Sequence, residues 1–136
     1  MNPNSPIAVI GMAGLFPGAG NLDIFWQNII NKVDATAEVL PDRWDLDPDS
    51  MVAPFPQPDK AYSKRCCQIT DFKFDPSGID LEKDLLSALD PLYQMVLHVG
   101  RQALSGIPDK SLARERTGII LAAIALPTDS SSVVTR

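Results

Sequence analysis

The chain has 136 residues, 45% hydrophobic and 21% charged, a globular balance at about the length of one domain. Its net charge at pH 7 is −5 and its 12 Lys and Arg are scattered along the chain, which excludes nucleic acid as the expected partner. The longest apolar run, residues 119–127, falls far short of the roughly 20 residues of a membrane-crossing helix. The opening MNPNSP has neither the basic nor the apolar region of a secretory signal, so the expected compartment is the cytosol.

Residues 7–12 form a short apolar run without alternation, the pattern of a strand covered on both faces of a parallel sheet. Glycines follow at 11, 14, 18 and 20, with Pro17-Gly18 as turn punctuation. Asn21 is placed to cap a helix whose apolar residues Leu22, Phe25, Trp26, Ile29, Ile30 and Val33 share one stripe. Half of the prolines then fall between Pro41 and Pro76, in a turn-rich excursion that also carries Trp44, Phe55, Tyr62, Phe72 and Phe74. Aromatics in such number want something to pack on, so this stretch is not a linker.

Beyond the excursion, Asp80 is placed to cap a short helix from Leu81 to Ala88. Asp90-Pro91 is the signature of an N-cap followed by proline in the first turn, where its missing N–H costs nothing. The helix it opens runs to about Leu104, with one polar stripe of Gln94, His98, Arg101 and Ser105, and stops at Gly106 and Pro108. Thr117 to Leu126 is a second unalternating apolar strand, and Asp129 or one of Ser130 to Ser132 could open a further helix. The chain thus divides into a strand and helix over 7–33, the excursion over 34–79, helices over 80–105 and a strand over 117–126. Buried strands separated by helices belong to a layered α/β architecture, and two of them are too few to cover one another. The expectation is a chain that either assembles with another or forms the front part of a larger domain.

The glycines do not make a phosphate cradle. No three have the G-x-G-x-x-G spacing of a dinucleotide site, and the segment lacks the lysine of a P-loop. They are expected to turn the chain. The two cysteines, Cys66 and Cys67, are adjacent; a bridge between neighbours is strained, and they read as free thiols. One histidine and no clustered carboxylates at ligand spacing give no metal site.

Several blocks nonetheless fall in one recognisable order. Gly11-Met12, Phe16-Pro17-Gly18-Ala19, Phe25-Trp26 and Pro41-Asp42-Arg43-Trp44, then FKFDPSGI, LDPLYQMVLHVGRQAL and RTGIILA, resemble the opening of the β-ketoacyl synthase domain of polyketide synthases and polyunsaturated-fatty-acid-type synthases. The block LDPLYQMVLHVGRQAL and the closing IALPTDSSSVVTR look closer to polyunsaturated-fatty-acid and glycolipid synthases than to modular ones. The sequence departs from the family pattern at Gly14-Leu15, where Cys-Arg is usual, at Cys66-Cys67, where a glycine pair is common, and at Ala122-Ala123, where a glycine usually follows the strand.

The resemblance implies the N-terminal portion of a thiolase-like, five-layered αβαβα fold, incomplete in this chain. It implies decarboxylative Claisen condensation of acyl and malonyl-type thioesters, delivered on the phosphopantetheine of acyl carrier protein, with no other cofactor. Its partners would be the remainder of the synthase domain, acyl carrier protein and, when complete, a second copy in a homodimer. The family's nucleophilic cysteine, in a D-x-A-C-[SA] motif, and its two histidines have no counterpart in these residues, so no catalytic, cofactor-binding or metal-binding residue is assigned and the segment alone is expected to be inactive. A non-catalytic partner resembling a chain-length factor, or an interaction module, is the alternative. Cys66 and Cys67 lack the surrounding motif, and His98 lies on the polar stripe of its helix, where a solvated or hydrogen-bonded surface role is expected. Arg43-Trp44 is expected to anchor its loop, with Trp44 buried and Arg43 paired to Asp42, Asp45 or Asp47; a role at the carrier or substrate entrance is the other reading.

Overall fold

Pro17 and Gly18 turn the chain back on itself. Phe16 and Ala19 exchange both backbone hydrogen bonds, each 2.9 Å, across Pro17-Gly18, and Gly18 takes a φ of 67°. Proline at the second position and a left-handed glycine at the third are the residues a type II turn requires. Asn28 locks the turn by donating from Nδ2 to the Gly18 carbonyl at 3.0 Å. Of the four glycines expected to turn the chain, Gly18 does so.

The computed structural model describes residues 6–44, 46–108 and 112–122. They fall into two compact units, residues 14–72 and residues 6–13 together with 73–122, each considered by itself.

In the first unit, helix α1 spans Leu22–Ile30. The Asn21 side chain accepts from the Ile24 N–H at 2.9 Å, the expected N-cap. At the other end Lys32 N–H donates to Ile29 C=O and Val33 N–H to Asn28 C=O, with Lys32 at φ 54°. That pair of bonds around a left-handed residue is a Schellman cap, formed here on lysine where glycine is usual. Leu22 and Phe25 turn inward, and Phe25 stacks on Phe16 with ring centroids 3.9 Å apart. The rest of the predicted stripe, Trp26, Ile29, Ile30 and Val33, lies exposed.

The proline-rich excursion is ordered by pairing. Strand β1 (Ala37–Glu38) runs antiparallel to β2 (Arg65–Cys66), in register Ala37 with Cys66 and Glu38 with Arg65. Val39 N–H to Lys64 C=O extends the ladder by one bond. Between them lie a 3₁₀ turn at Pro41–Arg43 and a short helix α2 at Pro48–Met51, capped by Asp47. A bridge between Val52 and Ala61 closes a loop over Pro54, Pro56 and Pro58, and Ala53 is buried behind it.

The second unit holds α3 (Lys83–Ala88) and α4 (Pro91–Leu104). Leu86 on α3 is the one large side chain fully buried among the described residues. Helix α3 begins later than its sequence indicated: Glu82 stands at the cap, its carbonyl accepts the first helical bond from Leu86, and no side chain caps the turn. Asp90 does cap α4, accepting from the Leu92 N–H at 2.9 Å with Pro91 in the first turn. Gly11 packs against the last turn of α4 so closely that an added Cβ would stand 2.0 Å from the Ala103 carbonyl oxygen.

The two apolar runs read as buried strands differ from that expectation. Residues 7–12 and 117–122 join no ladder among the described residues, and they are open to solvent: Ile7 and Ile120 are both 96% exposed. A strand exists by the hydrogen bonds of its neighbours, and a parallel strand is covered only when helices lie on both faces. The described residues of these runs have neither. The sheet among the described residues is the β1–β2 ribbon alone. Residues 123–126, and the helix expected from Asp129 or Ser130 to Ser132, lie outside the described residues.

Candidate functional site

Two small polar networks order the loops around each unit's surface. In the first, Asp34 Oδ1 accepts from the N–H and the hydroxyl of Thr36, at 2.9 and 2.7 Å. Arg65, facing them from β2, donates to the Thr36 carbonyl at 2.9 Å and to Asp34 Oδ2 at 3.3 Å. The Thr36 hydroxyl and N–H, then the Arg65 guanidinium, hold the Asp34 carboxyl below its ordinary pKa. In the second, Asp75 accepts from the Ser77 N–H and hydroxyl at 2.9 and 2.7 Å, while Arg101 reaches from α4 to the Ser77 carbonyl and stands 3.8 Å from Asp75. Ser77's two bonds lower the Asp75 pKa most, with Arg101 and His98 adding their charge.

The polar stripe of α4 is therefore partly engaged, with Ser105 exposed at its end. Gln94 donates to the Leu86 carbonyl at 3.0 Å, satisfying the end of α3, and Arg101 clamps the 75–78 turn. His98, between them on the helix, is half-buried; of the solvated and hydrogen-bonded roles expected for it, the fully solvated one does not hold. The sequence shows each Asx-type turn in its D-x-T and D-P-S spacing, but not the arginine partner, which lies 24 to 31 positions away.

Around the first network lies an open cleft of about 390 Å³, lined by Gly18, Asn28, Asp34, Glu38, Thr70 and Asp71 among others. Three carboxylates and no Lys or Arg line it, so it repels an anion. Its described lining holds no cysteine, serine, histidine or lysine. Cys66 is half-buried on β2 and Cys67 exposed, both free thiols. The Pro41–Trp44 block is one 3₁₀ turn, with Trp44 half-buried instead of buried. Arg43 is exposed and makes no ion pair among the described residues; Asp45 lies outside them. A lone turn gives the indole little to pack on. Among the described residues no group of three or more His, Cys, Asp or Glu could hold a metal ion, and no helix is long and apolar enough to cross a membrane.

What these elements belong to is decided by comparison. The family model described as "Beta-ketoacyl synthase, N-terminal domain" matches residues 4–134. The chain belongs to the β-ketoacyl synthase family. Among relatives of this ketosynthase segment, a phenolphthiocerol/phthiocerol polyketide synthase from Mycobacterium tuberculosis is 34% identical over 85% of the chain. The chain spans 6% of that relative's length. Among solved structures, a PfaC keto synthase–chain length factor is similar at 38% identity and a TM-score of 0.63, covering 73% of this chain and 11% of its own. The oxazolomycin ketosynthase domain OzmH KS7 of Streptomyces albus JA3453 is similar at 31% identity and a TM-score of 0.56, covering 72% and 17%. The fold is accordingly the N-terminal portion of the thiolase-like ketosynthase fold, a mixture of helix and sheet. In this ketosynthase segment the F-P-G-A block is the type II turn, and F-D-P-S-G is the turn that Arg101 clamps.

Proposed function

We propose that this segment is the structural front of a working β-ketoacyl synthase, which condenses acyl and malonyl-type thioesters carried on the phosphopantetheine of acyl carrier protein. In that reaction a cysteine thiolate takes the acyl group from its carrier thiol. The malonyl-type extender then loses CO₂, and the resulting carbanion attacks the acyl thioester, forming a carbon–carbon bond and freeing the cysteine. Histidines and backbone N–H groups stabilise the enolate and the oxyanion. None of these groups is assigned to residues 1–136. The role read for this segment is to supply helices, turns and apolar runs to a layered domain that the remainder of the synthase completes, as a homodimer.

The observation that carries the reading is the family match over residues 4–134 joined to the exposure of residues 7–12 and 119–121, apolar runs of strand composition with no cover among the described residues. The test has two arms. Residues 1–136 expressed alone are expected to release no CO₂ from malonyl-carrier protein and to form no β-ketoacyl product; the full-length gene product is expected to do both. Condensation by the 136-residue chain alone would overturn the reading.

The likeness to a keto synthase–chain length factor favours one second reading, a non-catalytic partner. The gene separates the two. A D-x-A-C-S block downstream of the Arg136 codon, followed by two histidines, supports the enzyme; the same block without its cysteine supports the partner.

A further inference from the structure

We draw no further inference here: the strongest candidate, the proline-flanked Phe55 exposed on the loop that the Val52–Ala61 bridge closes, is an unpartnered apolar surface, and nothing in the structure shows what covers it.

Discussion

Gly18 and Lys32, two of the residues with left-handed backbone, hold it for opposite reasons. Gly18, at φ 67°, occupies the turn position where a Cβ is strained, and Gly18→Ala is expected to cost about 1 kcal/mol. Lys32, at φ 54°, holds the Schellman cap of α1 at a position glycine fills without strain. Lys32→Gly is expected to gain about 0.5–1 kcal/mol, the relief of strain less the added freedom of the unfolded chain. A shift in urea midpoint of the folded protein reads both, and the two variants should move it in opposite directions. Asp75 gives a pH prediction. Its pKa is depressed by Ser77's hydroxyl and N–H, so the folded state favours the carboxylate. The contribution is present above the ordinary Asp pKa of about 4 and fades as pH falls below it toward the depressed value. The Ser77 amide resonance should therefore titrate with Asp75 on acidification, and in Asp75→Asn that titration should vanish. An Asp75 titrating at its ordinary value would show that the turn does not hold its carboxylate.

Elements were legible where their cause is local. Asn21, Asp90 and Pro91 act within one turn of where they stand, so the caps of α1 and α4 could be read directly. The β1–β2 ribbon could not: its strands are two residues each and joined by a long excursion, with no periodicity to show at that length. The clamps by Arg65 and Arg101 share that difficulty, since one partner of each announces a turn and nothing local ties it to an arginine 24 to 31 positions away. These long-range bonds carry consequences of different size. Arg65 and Asp34 are largely exposed, so Arg65→Ala should cost no more than about 1 kcal/mol. Leu86 is different: it is 0% exposed on α3, with its carbonyl held by Gln94. Leu86→Ala should cost about 2–5 kcal/mol, and Gln94→Ala about 1–2 kcal/mol by leaving that carbonyl unpaired. Equal losses from Arg65→Ala and Leu86→Ala in denaturant titrations of the full-length gene product, where a cooperative transition is expected, would contradict this ordering.

At the scale of the whole molecule, the residues that read as buried are the ones that lie open. Residues 7–12 and 119–121, together with Trp26, Ile29 and Ile30 of α1 and Val33 beyond its end, have the composition of a covered interior, while the buried apolar residues among those described are Ala19, Ala53 and Leu86. The pattern recorded the environment of the family's layered sheet, and a local structure of helices, turns and one short ribbon does not reproduce that environment. Burying apolar surface contributes roughly 25 cal/mol per Å², so a chain that leaves its strand residues in water forgoes the main term that offsets conformational entropy. The 136-residue chain expressed alone is therefore expected to be aggregated or loosely packed. It should bind a hydrophobic dye such as ANS strongly and melt without a sharp transition. The same residues within the full-length gene product should bind little dye and melt cooperatively. Gly11→Ala, which drives a methyl into the Ala103 carbonyl, should lower the full-length melting temperature by several degrees and leave the dye binding of the short chain unchanged, because there is little packed structure there to lose. A sharp, dye-free melt from residues 1–136 would mean that the exposed apolar runs find cover within the segment itself.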